Sequence, residues 1–240
     1  METVIQAENL RKSYGTRKVL ENFSLTLGRG EVLGLIGANG AGKSTAIECM
    51  LGTKTMDSGE VRILGFDPKK DRKKLFEKVG VQFQEANYPD KIKTRELCEA
   101  TSSLYREPSD YRMLLQQFGL EDKQSALIST LSGGEKQRLF IVLSLIPNPD
   151  VVFLDELTTG LDPRARKNVW SFLTDLKAKG LTIVLTSHFM DEVENLCDRI
   201  IILKDGQCVF EGTVPNAVAV SPFDKFEDAY LWYTEEEVKQ

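Results

Sequence analysis

Gly37 to Ser44 reads GANGAGKS, a match to G-x-x-x-x-G-K-[ST], and residue types at that spacing are suited to holding a chain of phosphates. Glycines 37, 40 and 42 let the backbone turn tightly so that its N–H groups point at phosphate oxygens. Ala38, Asn39, Ala41 and Thr45 belong to the same cradle. Lys43 would neutralise the β- and γ-phosphates, and Ser44 would offer its hydroxyl to Mg²⁺. A second candidate is Val151 to Glu156 (VVFLDE), four apolar residues followed by two carboxylates. Asp155 could hold Mg²⁺, directly or through water, and Glu156 could accept a proton from an attacking water. Taken alone, the same letters also describe a helix N-cap followed by a solvated acid. In Leu131 to Arg138 (LSGGEKQR), Ser132 and Glu135 have capping-box spacing, which by itself describes a well-started helix. Two glycines at the first helical positions are nevertheless poor helix formers, and their use makes sense where backbone must approach a ligand closely. His188, in TSHFMDE, is the only histidine of the chain.

Each of these residues needs an element to aim it. Glu31 to Ile36 (EVLGLI) is suited to a buried strand and Thr45 to Leu51 to a helix, so the phosphate-binding pattern sits between strand and helix, where it has to sit to work. Further strands are expected at Val4 to Leu10, Lys18 to Leu27, Gly59 to Leu64 and Val79 to Phe83. The pattern then turns helical, at Arg95 to Tyr105, Asp110 to Phe118 and Glu135 to Ile146, and is closed by Pro147 and Pro149. Beyond it, Val151 to Leu154, Leu181 to Thr186 and Ile200 to Leu203 alternate with helical stretches at Pro163 to Lys179 and Met190 to Cys197. Such alternation predicts an α/β fold with a mostly parallel sheet, split by a helical insert. Asp205-Gly206 between apolar runs marks a hairpin turn.

The composition narrows the partners. With 240 residues, 41% hydrophobic, the chain can bury a substantial core, and a net charge of −5 argues against a nucleic-acid footprint. The basic stretch Lys69 to Lys74 reads as a solvated helix face. The four cysteines show no C-x-x-C spacing, which argues against zinc or a disulfide framework, and they are expected as small buried hydrophobes. Met1 to Arg11 is mixed and charged, unlike a signal peptide, and no apolar run approaches the roughly 20 residues that span a bilayer. Any membrane role is expected to come through a partner.

LSGGE resembles the signature motif of ATP-binding cassette (ABC) ATPases, and the other motifs of that family follow in their proper order from about Val4 to Gly212. The resemblance implies an ABC ATPase nucleotide-binding domain: a core of residues 1–87 and 147–212 with a mostly parallel sheet and an antiparallel β part, an inserted helical signature subdomain at 88–146, and a short tail at 213–240. It implies ATP and Mg²⁺ as ligands. Tyr14 matches the aromatic that stacks on adenine, and Gln84 the glutamine that contacts Mg²⁺ and the attacking water; Gln82 is close by in the wrong register. His188 matches the switch histidine on the γ-phosphate. Ser132, Gly133, Gly134, Glu135 and, from the TGLD loop, Asp162 match residues that reach ATP across a two-fold pair, so that two ATP molecules lie between head-to-tail subunits. One departure is Leu157, where the family commonly has proline after the catalytic glutamate; proline would push Glu156 toward the extended region.

The tail, Phe226 to Tyr233, resembles that of subunits serving ABC-2-type exporters, and its apolar positions also suit an amphipathic helix docked on the core. The resemblance thus implies an ATPase that powers a membrane transporter, paired with itself or a close paralogue, and held at the cytoplasmic face of the membrane by a polytopic permease. Tyr88 and Leu97 are expected to offer that permease apolar contact. A soluble ABC ATPase acting in iron–sulfur assembly, or on ribosomes or DNA, is the rival reading.

Overall fold

The computed structural model describes residues 2–82 and 91–234. Two sheets share the work of positioning. β1 (Thr3–Tyr14), β2 (Arg17–Gly28) and β4 (Ser58–Ile63) form an antiparallel sheet of order β2-β1-β4, with Ile5 opposite Leu27 on one side and Ile63 on the other. β1 runs on to Tyr14, well past the expected Leu10, whereas β2 exceeds its expected span by a single residue at each end. Bulges and the left-handed residues Asn9 (φ 50°) and Asn22 (φ 55°) let paired strands continue past each break in alternation.

The second sheet has the order β5-β6-β7-β3-β8-β9, made of β3 (Val32–Gly37), β5 (Val79–Gln82), β6 (Val151–Leu154), β7 (Thr182–Leu185), β8 (Arg199–Lys204) and β9 (Gln207–Gly212). Every neighbouring pair in it is parallel except β8 and β9, which are antiparallel and joined through Asp205-Gly206, as the hairpin signal predicts. β6 and β7 are buried along their whole length, which is why β6 reads as an unbroken apolar run and β7 as one broken only by Thr182. Because the strands are parallel, Gly37, Asp155 and Thr186 all emerge at the same carboxyl edge, where open α/β sheets bind ligands.

Helices cover both faces. α1 (Lys43–Met50) lies on the face shared with the antiparallel sheet, where Ala46, Ile47 and Met50 pack with Leu33, Leu35, Phe153 and Phe23. α2 (Arg72–Leu75) is a single turn that buries Leu75 and leaves its basic side chains exposed. On the opposite face α3 (Thr94–Ser102), α4 (Tyr111–Gln117), α5 (Gly133–Leu145) and α6 (Pro163–Ala178) join Val152, Leu154 and Leu185 in one cluster. α7 (Met190–Leu196), α8 (Val214–Val220) and α9 (Phe226–Thr234) pack on Ile36, Ile200 and Ile202, with Phe226 and Ala229 fully buried, so the tail docks as the amphipathic pattern predicts. α8 lies outside the expected elements; the Thr213 hydroxyl caps it by accepting from Asn216 N–H at 3.2 Å, and Pro215 occupies its first turn.

Two expectations need correction. Cys49 and Cys98 are buried, but Cys197 is only partly covered and Cys208 is exposed on β9, the outer strand of the sheet. Leu97 is 8% exposed, because α3 turns it into the core, and it is not available for apolar contact with a partner. Tyr88, its expected companion, lies outside the described residues. Among the described residues no helix is long and apolar enough to cross a membrane.

Candidate functional site

The phosphate loop closes on its own backbone. Gly42 is the N-cap of α1 in a left-handed conformation (φ 108°), and a Cβ there would stand 2.6 Å from Val19 O, so only glycine fits. No side chain caps the helix, which leaves its first N–H groups directed at the loop. Lys43 is 8% exposed, and its Nζ donates to Gly37 O at 2.7 Å and Ala38 O at 3.1 Å. Burial pulls its pKa down, against the opposing pull of Asp155 and Glu156. The β8–β9 turn supports the loop from behind, with Gly206 N–H donating to Ala41 O at 3.0 Å and Glu21 N–H to Gly206 O at 2.9 Å.

Asp155 and Glu156 leave β6 beside Thr186, which leaves β7. The Thr186 hydroxyl donates to Asp155 Oδ1 at 2.5 Å and accepts from Glu156 N–H at 2.8 Å, so one side chain braces both carboxylate residues from the next strand. Gln82 Nε2 donates to Asp155 O at 3.1 Å from the other side, so the glutamine in the wrong register for the ligand makes a scaffold contact instead. Gln84 lies outside the described residues. Glu156 adopts φ 53°, a left-handed conformation that is strained for a side chain of its kind. Its Oε1 lies 3.1 Å from His188 Nε2, which emerges just after β7. Leu157, fully buried, donates its N–H to Thr186 O at 3.4 Å, a contact that proline could not make.

Tyr14 ends β1 at 47% exposure, with Lys12 Nζ 5.1 Å and Lys54 Nζ 5.7 Å from its ring centre. Tyr14, Asn39, Gly40, Lys43, Ser44, Glu156 and His188 line a single open cleft of about 850 Å³. Arg17 and Lys54 line it too, and nothing in the sequence singles them out; a tight turn brings Arg17 back over the loop. Sequence reasoning also misses Thr186 and Gln137. Gln137 Nε2 donates to Glu156 O at 3.1 Å and Leu157 O at 2.8 Å, tying α5 to the segment after Glu156; its position one turn into the LSGGEKQR helix is the available signal.

The remaining sequence-predicted residues stand apart. Ser132 is the N-cap of α5: its hydroxyl accepts from Glu135 N–H at 3.2 Å while Glu135 Oε2 accepts from Ser132 N–H at 2.8 Å. Those contacts, with Lys123 3.1 Å away, hold the Glu135 carboxyl down at about 2. Gly133 opens to empty space, and none of residues 132–135 lines the cleft. Asp162 caps α6, accepting from Arg164 N–H at 2.9 Å and Ala165 N–H at 3.0 Å.

Residues 20–159 match the ABC transporter family. The chain is 37% identical over 225 residues to Nod factor export ATP-binding protein I of Paraburkholderia xenovorans, covering 92% of this chain and 74% of that one. It is 40% identical over 214 residues to the protein of the same name from Rhizobium meliloti, covering 87% and 64%. Among solved structures, an ATP-binding subunit of an ABC transporter superposes with a TM-score of 0.87 at 26% identity, over 97% of this chain and all of that one. A dimeric ATP-binding cassette in a post-hydrolysis state with ADP and Pi gives 0.80 at 26% identity, over 87% and 98%. The phosphate cradle, the paired carboxylates at a strand end and this likeness in sequence and fold lead to one conclusion: the chain belongs to the ABC transporter family and is an ATP-binding, ATP-hydrolysing cassette of a membrane transporter.

Proposed function

We propose that the cassette drives an exporter, working as one half of a head-to-tail pair seated on a polytopic permease at the inner face of the membrane. The observation that carries the pairing is the division of the site within one chain, since the cleft holds the phosphate loop, Glu156 and His188 but none of residues 132–135. The start of α5 is instead exposed, with Gly133 facing open space, so its N–H groups and positive dipole end can meet the γ-phosphate of a second copy. The dimeric form of a similar cassette supports this, and the export named for the similar proteins supports the direction of transport.

In this reading Tyr14 stacks on adenine, residues 37–45 cradle the phosphates, and Lys43 leaves Gly37 O and Ala38 O for them. Ser44 and Asp155 would hold Mg²⁺, with Gln84; a hydroxyl and a carboxylate are hard oxygen donors that suit this cation, and Asp155 keeps Oδ2 clear of the Thr186 contact. Bound Mg²⁺ supplies charge neutralisation on the phosphates. The γ-phosphate draws His188 away from Glu156, freeing that carboxylate to take a proton from water. The water oxygen bonds to the γ-phosphorus as the bond to the β–γ bridging oxygen breaks, and ADP departs with that oxygen. Ser132, Gly133, Gly134, Glu135 and Asp162 of the second copy close over the site, and hydrolysis loosens it.

Mixing subunits that carry Lys43→Ala with subunits that carry Ser132→Arg tests the pairing. Both lesions can fall in one composite site, leaving the other undamaged, so activity should reappear on mixing and stay absent in the double variant. Simple averaging of the two residual rates would overturn the shared site. Co-purification with a polytopic protein from detergent-solubilised membranes tests the transporter assembly, and recovery only with ribosomes or DNA would overturn it.

A further inference from the structure

Two residues into α7 and four beyond His188, Glu192 is a fully buried carboxyl residue with no place in the chemistry described above. Its Oε1 accepts two hydrogen bonds, from the Thr158 hydroxyl at 2.8 Å and from Trp170 Nε1 at 2.9 Å. Its Oε2 is buried and accepts no well-formed hydrogen bond, and Arg166 Nε close by is buried and donates none. Burial drives the pKa of Glu192 up, opposed by the hydroxyl of Ser187, by Trp170 and Thr158, and by the Arg166 guanidinium. Arg166 itself is held over the Phe189 ring, 3.9 Å from its centre, and reaches Asp191 at 3.3 Å.

The groups that meet at Glu192 come from the three segments that carry the chemistry. Thr158 follows Glu156 by two residues, Ser187 and Phe189 flank His188, and Trp170 sits on α6, the helix that Asp162 caps. Thr186 ties the bases of the first two segments together through Glu156 N–H and Leu157 N–H, but beyond it their side chains meet at the His188–Glu156 contact, which the γ-phosphate must open. A carboxyl buried with half its oxygens unpartnered is costly, and an apolar residue of similar volume at such a place is often neutral or stabilising. Its presence is therefore better explained by what it joins than by stability.

We infer that Glu192 is a positioning residue for ATP hydrolysis: it holds the segment after Glu156 and the segment around His188 at fixed spacing while nucleotide enters between the two side chains. This rests on the roles proposed for Glu156 and His188. Misplacement of a base by as little as an ångström costs on the order of 100-fold in rate, so the tie acts on turnover and not on nucleotide affinity.

The test compares steady-state ATPase kinetics and melting temperature of Glu192→Met, Glu192→Gln, Thr158→Val and Glu156→Gln in the full chain. Glu192→Met should lower kcat at least about 10-fold with KM for ATP changed less than about 2-fold, while its melting temperature stays level or rises. Glu192→Gln, whose amide oxygen can accept from both Thr158 and Trp170, should restore kcat to within about 3-fold. Thr158→Val removes one of the two bonds at nearly constant volume and should lower kcat without adding to the loss in Glu192→Met. Unchanged kcat in Glu192→Met, an equal loss in Glu192→Gln, or a parallel rise in KM would overturn the inference. Should Glu192→Met fail to fold, Thr158→Val decides: a loss of kcat at constant KM supports the tie, and unchanged kcat overturns it. Full turnover in Glu156→Gln would refute the underlying site reading separately, whatever the Glu192 variants do.

Discussion

Asp155, Glu156 and Lys43 are tied to neighbouring strands and to the phosphate loop, whereas Ser132 and Glu135 at the start of α5 are tied mainly to each other and to Lys123. In the first region, at the carboxyl edge of a parallel sheet, Asp155 and Lys43 are buried and Glu156 is half-buried, and the second stands at an exposed helix end. In the proposed pair, the difference separates the half of the site that is preorganised by its own chain from the half that would be presented to a second copy. Groups that must hold a charged ligand in fixed geometry are braced across strands, where the backbone cannot yield. The groups proposed to meet a partner are satisfied locally, by a capping box, which would keep their geometry in the separated subunit.

The sharpest way to break the contrast is at the braced end. Glu156→Gln keeps shape and removes the base, so turnover should fall by about 10² to 10⁴ while ATP binding persists, measured by parallel hydrolysis and nucleotide-binding assays. Full turnover would remove Glu156 from the chemistry. His188→Ala should likewise lower turnover while sparing ADP affinity, and an equal loss of ADP affinity would make it a structural residue. At the presented end, Ser132→Arg should lower turnover by about 100-fold and leave nucleotide affinity of the isolated subunit within about 2-fold, since that residue does not line its own cleft. A loss of affinity in the separated subunit would erase the distinction between the two regions.

Smaller effects sharpen it. Tyr14→Ala should raise KM for ATP by about three- to tenfold, in keeping with one lost aromatic stack of about 0.5–1.5 kcal/mol. Glu135→Gln should cost at most about 0.5–1 kcal/mol of stability, seen as a small drop in melting temperature, because the cap is solvent-accessible. The sign with pH is defined: the Glu135 carboxyl is held at about 2 against an ordinary value of 4.5, so its contribution is present above about 4.5 and is lost as pH falls toward 2. The variant should therefore show a shallower acid loss than the unmodified chain, and identical acid limbs would mean that the cap does not form.

Elements with a strong local pattern are legible in the sequence. β6 spans the expected Val151 to Leu154, and α5 starts one residue after the expected cap. β1 extends to Tyr14, beyond its sequence signal, because bulges interrupt the alternation that marks a strand, and a bulge is stabilised by the partner strand and not by local sequence. Within the site, glycine, lysine and carboxylate at fixed spacing announce phosphate chemistry, but Arg17 and Lys54 carry no such pattern: Arg17 reaches the cleft from the start of β2 and Lys54 from the turn that follows α1.

By itself, then, the order of residues determined which groups could do chemistry and on which kind of element each would sit, because those depend on interactions within a few residues along the chain: turns, caps and apolar periodicity. Tertiary structure alone decided that Thr186 would brace Asp155 and Glu156 together, that His188 would stand against Glu156, and that Glu192 would be buried between Thr158 and Trp170. Those partners lie 22 to 34 residues apart in the chain, and their meeting follows from the parallel neighbours β6 and β7 opening at one edge, a spacing that no local propensity encodes.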